Sequence, residues 1–209
     1  MRSDVRVAAL LLAAGAGRRM GEDNKLLLDY RGEPLVSHLA QVARASHCSE
    51  AFVVVGARAE EVTRALPRRG ILIVECLDWA AGMASSLRSG VATIAAERPA
   101  FDAILVMLAD QPHVTAQHLD ALIDAHRRAP DAVVASRYAG IEGVPALFPR
   151  RCFDALRGLE GDTGARSLLA HERAAHRAVA IEFEAASIDL DTPDDYAALR
   201  ARDGIPSED

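Results

Sequence analysis

Between Leu12 and Lys25 the chain reads LAAGAGRRMGEDNK. Leu12, Ala13, Ala14 and Gly15 lead to Gly17, the pair Arg18 and Arg19, then Gly21 and Lys25. Small residues let backbone N–H groups approach an anion closely, and successive N–H groups form a concavity that binds phosphate. Arg19 and Lys25 add fixed positive charge at the far end of the loop. This spacing suits the polyphosphate of a nucleotide. Carboxylates stand at two further places. Asp110 closes the apolar run Asp102–Leu108 within LADQP, and Asp189 and Asp191 lie in SIDLDTPDDY. Oxygen ligands beside a polyphosphate suit Mg2+, which keeps several waters and takes only one or two protein carboxylates.

Other spellings of the loop compete with this reading. A Walker loop needs Lys-Ser or Lys-Thr after its last glycine, and none follows Gly21. A dinucleotide fingerprint needs G-x-G-x-x-G, and Gly15, Gly17 and Gly21 are spaced one residue too wide. A signal peptide with Arg2 and Arg6 in its n-region is opposed by Asp4, by a short apolar core and by the basic motif beyond the supposed cleavage site. The plainest alternative is an ordinary strand-to-loop turn with surface arginines. Asp110 equally suits a turn, and Asp189 and Asp191 equally suit the cap of a final helix.

The elements that position these residues can be read from periodicity. Val5–Leu12, Ala51–Gly56, Ile71–Val74 and Asp102–Leu108 are continuous apolar runs of strand length. Amphipathic stretches separate them, with Leu35, Leu39 and Val42 on one helical face and Leu87, Val91 and Ile94 on another. Ala59–Leu66 reads as a short helix stopped by Pro67. Ser85 or Ser86 is expected to cap the helix of Gly82–Ala96, and Thr115 the helix that ends at Arg128. Strand–helix alternation with strands apolar on both faces predicts an α/β fold, a doubly wound and mostly parallel sheet. Ligands of such sheets bind beyond the strands' carboxyl ends. The opening loop, the turns at Gly56 and Gly82, and Asp110 all fall there. The second half is less regular. Leu26–Leu28 is expected to be extended, Tyr138–Pro145 a flexible loop, and Ala146–Phe148 a strand. Thr192, Pro193, Asp194 and Asp195 have the composition of a helix start. The 209 residues read as one domain, with 203–209 a frayed polar tail.

Composition narrows the class. A net charge of −6 and 4% aromatic residues oppose a nucleic-acid partner, and no apolar run approaches the length of a membrane span. Cys48, Cys76 and Cys152 form no C-x-x-C pair, so neither a disulfide framework nor a zinc site is indicated, and a cytoplasmic location is expected. The seven histidines are scattered, mostly on expected helix surfaces.

LAAGAGRRMGEDNKLLLDYRGEPLV resembles the amino-terminal signature of the MobA-like molybdenum-cofactor nucleotidyltransferases, and LADQP resembles their metal-binding strand end. The resemblance implies a Rossmann-like fold of the nucleotide-diphospho-sugar transferase type. It implies that Leu12, Ala13, Ala14, Gly15, Arg19, Lys25, Gly82, Ser86 and Asp110 bind nucleotide. Arg19, Lys25 and Asp110 are then catalytic, and Asp110 with Asp191 (Asp189 second) holds the metal. Gly82–Gly90, GMASSLRSG, matches a base and ribose segment, although Ala84 stands where the family has serine. Gly143–Phe148 and Gly161–Arg166 resemble acceptor-side elements, with a hairpin turn and a helix start as their plainer readings. In the family, LAAG loops go with cytidine and LAGG loops with guanosine. Ala14 therefore points to CTP, and a methyl there also narrows a base pocket toward pyrimidines. The implied reaction is cytidylyl transfer from CTP to molybdopterin, the Mo cofactor, with a molybdenum hydroxylase apo-enzyme as client. GTP, a sugar or polyol phosphate acceptor, and a non-catalytic cofactor carrier are the rival readings.

Overall fold

The computed structural model describes residues 5–17, 24–162 and 164–205. The chain opens with β1 (Val7–Ala13). A 3-10 turn at Lys25–Leu27 then leads into a small hairpin, β2 (Asp29–Tyr30) and β3 (Glu33–Pro34). Next come α1 (Leu35–Ala45), β4 (Glu50–Val55), α2 (Ala59–Ala65), β5 (Leu72–Glu75), α3 (Met83–Ala96), β6 (Ala103–Leu108) and α4 (Ala116–Arg128). The second half holds β7 (Val133–Tyr138), β8 (Ile141–Pro149), α5 (Phe153–Arg157), α6 (Arg166–Ala174), β9 (Ala178–Glu182) and α7 (Pro193–Asp203).

The main sheet has seven strands in the order β5-β4-β1-β6-β8-β7-β9. β1, β4, β5 and β6 pair in parallel, β7 pairs with β9 in parallel, and β8 runs antiparallel to both of its neighbours. This is the doubly wound, mostly parallel sheet that the alternation predicts. Every residue of β1 is buried. Its side chains alternate between the two faces. Val7, Ala9, Leu11 and Ala13 join a core with Leu35 and Leu39 of α1 and Leu119 and Leu122 of α4. Ala8, Leu10, Leu12 and Ala14 join a second core with Leu87, Val91 and Ile94 of α3 and Leu156 of α5. Burial on both faces is why the sequence shows an unbroken apolar run there rather than alternation. It also fixes where β1 ends, and hence where the loop begins.

Several expectations are corrected. Leu26–Leu28 is not extended throughout: Lys25–Leu27 is a 3-10 turn whose start is capped by Asn24, with Asn24 Oδ1 accepting from Leu26 N at 3.1 Å. Tyr138–Pro145 is not a loop. β7 and β8 meet at Ala139 and Gly140, and Gly143 to Pro145 belong to β8. The polar and glycine content of that strand hid a hairpin whose backbone is satisfied across the sheet. Neither Ser85 nor Ser86 caps α3; the Ser85 hydroxyl donates to Gly82 O at 2.7 Å. His118 and His126 are buried, not on a helix surface. Asp203 is no frayed tail. Its carboxylate accepts from Tyr30 Oη at 2.7 Å and from Arg31 Nη2 at 3.2 Å, and lies 3.0 Å from His113 Nε2. Thr115 does cap α4, accepting from His118 N at 3.2 Å. Thr192 and Asp195 form the reciprocal capping box of α7 behind Pro193.

Candidate active site

Four parallel strands end on one side of the sheet, and backbone hydrogen bonds tie their ends together. Ala109 N donates to Leu12 O, joining the end of β6 to that of β1. Ala57 N donates to Ala14 O, and Cys76 N donates to Val55 O, joining β4 to β1 and β5 to β4. A cleft of about 490 Å³ opens over them. Leu12, Ala13, Ala14 and Gly15 form its floor, and Lys25, Gly82, Ser86, Asp110 and Asp191 line its walls. Every described residue that the sequence names for nucleotide or metal, apart from the second-choice Asp189, therefore borders one cavity. Arg19 and the Met20-Gly21 pair lie outside the described residues.

Lys25 sits in the 3-10 turn behind the loop. Its Nζ lies 2.7 Å from Asp110 Oδ2 and 2.9 Å from Asp191 Oδ1. The ammonium bearer is 14% exposed, Asp110 22% and Asp191 34%, so the bridge is half-shielded from water and stronger than a surface pair. Burial works against the charge on Lys25. The Asp110 and Asp191 carboxylates outweigh it, and its pKa stands above the ordinary lysine value.

Asp191 reaches this place from the far end of the sequence. Leu190 N donates to Asp110 O at 2.9 Å, which threads the segment before α7 beside the end of β6. Asp189 is drawn in with it. Burial, and then the charges of Asp110 and Asp191, push the Asp189 carboxyl up to about 6. Gln111 is 1% exposed and crosses beneath the carboxylates, its Nε2 donating to Val144 O at 3.1 Å and Ala186 O at 2.9 Å. That pair of bonds clamps β8 and the segment before α7 to the LADQP turn.

Two wall residues are not named singly by the sequence, although one of them, Asp162, lies in the Gly161–Arg166 segment. Asp162 and Trp79 both line the cleft. A Cβ at Gly82 would lie 2.5 Å from Asp162 Oδ1 and 2.6 Å from Gly161 O, and Gly82 has φ +106°. Only glycine takes that conformation and that contact without strain. The bond from Ala84 N to Gly161 O, at 3.0 Å, seals the same junction. Gly161–Arg166 thus closes over Gly82, and its Asp162 becomes part of the site. The signal available in the sequence was the acid between two glycines, which reads equally as a turn.

The oxygen donors suit a hard divalent cation. Asp110 Oδ1 is buried and has no hydrogen-bond partner among the described residues, an arrangement that an isolated carboxylate oxygen does not favour. Among the described residues no group of three or more His, Cys, Asp or Glu forms a ligand cluster. No described helix is long and apolar enough to cross a membrane.

Comparison with known proteins agrees with this geometry. Residues 9–178 match the MobA-like NTP transferase domain. The chain is 35% identical to purine catabolism protein PucB of Bacillus subtilis (strain 168), over 96% of this chain and 98% of that protein. It is 33% identical to nicotine blue oxidoreductase of Paenarthrobacter nicotinovorans, over 78% and 81% of the two chains. A molybdenum cofactor guanylyltransferase of Pseudomonas fluorescens (strain SBW25) is 30% identical over 60% of this chain and 58% of its own. Among solved structures, Rv0371c of Mycobacterium tuberculosis H37Rv superposes with TM-score 0.79 at 30% identity, covering 94% of this chain and 98% of that one. The same protein in complex with manganese gives TM-score 0.73. With its motifs gathered at one cleft and the domain matched over most of its length, the chain belongs to the MobA-like NTP transferase family, whose chemistry is nucleotidyl transfer to a phosphate-bearing acceptor.

Proposed function

We propose that this protein transfers a cytidylyl group from CTP to the phosphate of molybdopterin, releasing pyrophosphate and leaving molybdopterin cytosine dinucleotide. The observation that carries the transfer reading is the Asp110–Lys25–Asp191 bridge beside the Leu12–Gly17 loop. An oxygen of the acceptor phosphate attacks the α-phosphorus, a new P–O bond forms, and the bond to the bridging α–β oxygen breaks. The acceptor phosphate is already anionic at neutral pH, so no general base is required. Catalysis then rests on alignment and on charge placed where charge develops. The backbone of Leu12–Gly15 approaches the phosphates. Lys25, kept protonated by its two carboxylates, offsets the charge of the departing pyrophosphate, and Arg19 is assigned the same task. Asp110 with Asp191, or with the adjacent Asp189, would hold a divalent cation such as Mg2+, which would supply Lewis-acid charge at the α-phosphate. The buried, unpartnered Asp110 Oδ1 and the manganese complex of the Rv0371c relative support that assignment.

CTP and molybdopterin are the finer part of the proposal, and they rest on motif likeness. Ala14 lines the cleft, but its side chain is buried in the core beside Gly56, so the preference for cytidine rests on the LAAG spelling. The relative named as a molybdenum cofactor guanylyltransferase supports the acceptor and makes GTP the second donor to test. Sugar and polyol phosphates follow as alternative acceptors. The relative named as an oxidoreductase makes hydride transfer a reading to exclude. The deciding experiment measures pyrophosphate release with CTP or GTP and each acceptor, with and without Mg2+, alongside NADPH consumption. Pyrophosphate from CTP and molybdopterin, lost in Asp110→Ala, is the expected result. Preference for GTP or for a sugar phosphate overturns the finer assignment. NADPH consumption without pyrophosphate, or an Asp110→Ala variant that still supplies cofactor to its client, overturns transfer itself.

A further inference from the structure

We infer that Trp79 is the base-stacking wall of the cleft, so that its indole face packs on the nucleobase of the bound nucleotide. The inference rests on the nucleoside triphosphate reading above and extends it to a residue that no motif names. Trp79 is the chain's only tryptophan. It begins the 3-10 turn Trp79–Ala81 just beyond β5, and it is the one aromatic among the described residues that line the cleft.

Its seat is built rather than incidental. A Cβ at Gly56 would lie 2.6 Å from Trp79 Cβ, 2.9 Å from Trp79 Cγ and 2.9 Å from Ala14 Cβ. The end of β4 therefore lacks a side chain where the root of the indole crosses it. Ala14 and Cys76, both buried, belong to the core against which the ring is packed. The ring remains partly exposed, and its open part faces the cavity. Charge sets the direction in which a nucleotide lies. Lys25, Asp110 and Asp191 form the end for phosphates and cation, on the β1–β6 side. The nucleoside then falls toward the β4–β5 side, where Trp79, Gly82 and Ser86 are the wall residues. Every nucleobase offers a π face, so an aromatic wall contributes affinity with little choice among bases. Choice must come from polar groups at the base edge and from the height of the ring.

Because the tryptophan is single, its fluorescence reports the contact without background. Titration of the wild-type protein with CTP and with GTP should quench the emission saturably. Inorganic pyrophosphate and ribose 5-phosphate, which lack a base, should bind without the quench. Trp79→Ala should raise the KM for nucleotide roughly tenfold, with kcat within about twofold, and Trp79→Phe should recover most of that loss. Calorimetry on the same samples separates the failures. Nucleotide binding without quenching, or an unchanged KM in a folded Trp79→Ala variant, overturns the stacking role alone. Absence of binding by either nucleotide overturns both this role and the transfer reading.

Discussion

Lys25 is held between two carboxylates that lie 85 and 166 positions away in sequence, and this one contact ties the Leu12–Lys25 stretch to both acidic motifs. Asp110→Asn keeps the backbone bond from Leu190 N to Asp110 O, so it should fold normally. It should still lose pyrophosphate release by roughly 100-fold or more, the usual scale for removing one preorganised charge contact. A variant with near-normal turnover and a normal melting temperature would show that the Asp110 charge takes no part in the transfer. Gly82→Ala is a sharper test of the loop junction. The added methyl has no room beside Asp162 and Gly161, and the positive φ strains any L residue. A several-fold rise in KM for nucleotide is expected, with the smaller effect on kcat. Ala14→Gly should relax any preference for CTP over GTP; an unchanged ratio counts against a role for that methyl. At this scale most of the site is legible in the sequence. Small residues, a basic residue and an acid at a strand end are recognisable types. Trp79 and Asp162 escape because a lone aromatic and a turn aspartate look the same in sequence whether or not they face a cleft.

The elements explain how distant residues arrive together. α7 carries Asp191 just ahead of its start and Asp203 in its last turn. Asp203 anchors that last turn to Tyr30, Arg31 and His113, beside the segments that bear Lys25 and Asp110. The helix is thus a strut fixed at both ends around the site. Thr192→Ala removes the side-chain acceptor of its capping box. The cost should be about 1 kcal/mol, lowering the midpoint of thermal unfolding by roughly 3 °C for a chain of this size. Unchanged thermal stability would show that the box adds nothing to tertiary contacts. The start of this helix is readable from Thr192-Pro193-Asp194-Asp195, because caps are local chemistry. Its anchor is not, because Asp203 finds its partners only through tertiary packing. The β7–β8 hairpin fails in sequence for the same reason: Gly143 looks like a loop residue until Ser136 of β7 pairs with it, and Pro145 until the Ser136 hydroxyl donates to its carbonyl.

Across the whole molecule, buried ionisable groups should set the response to acid. His118 donates from Nε2 to Ser136 Oγ at 2.7 Å, since that hydroxyl itself donates to Pro145 O at 2.6 Å. Burial lowers its pKa to about 4. A histidine with a depressed folded pKa contributes fully above its unfolded value near 6.5, and that contribution declines as pH falls toward about 4. Glu172, 4% exposed, is fixed by Arg151 at 2.5 Å and Arg177 at 3.0 Å, and these bonds lower its pKa to about 2. Its contribution is complete above the ordinary glutamate range and is lost as pH falls through about 2. Denaturant unfolding between pH 6.5 and 4 should therefore show a slope to which His118 contributes a fall in stability, against an opposing rise from Asp189, whose carboxyl is pushed up to about 6. His118→Gln should remove that fall, and a slope unaltered by the substitution would remove His118 as its cause. By itself the sequence determined the parallel, doubly wound core, the glycine-rich stretch that follows β1 and the acid at the end of β6, because each is written in local composition or in an apolar run buried on both faces. Only the tertiary structure decided that Asp191 meets Lys25, that Asp162 closes over Gly82 and that Trp79 faces the cleft. Those contacts depend on which strand ends lie side by side, and that order is set by packing the two cores across the whole sheet.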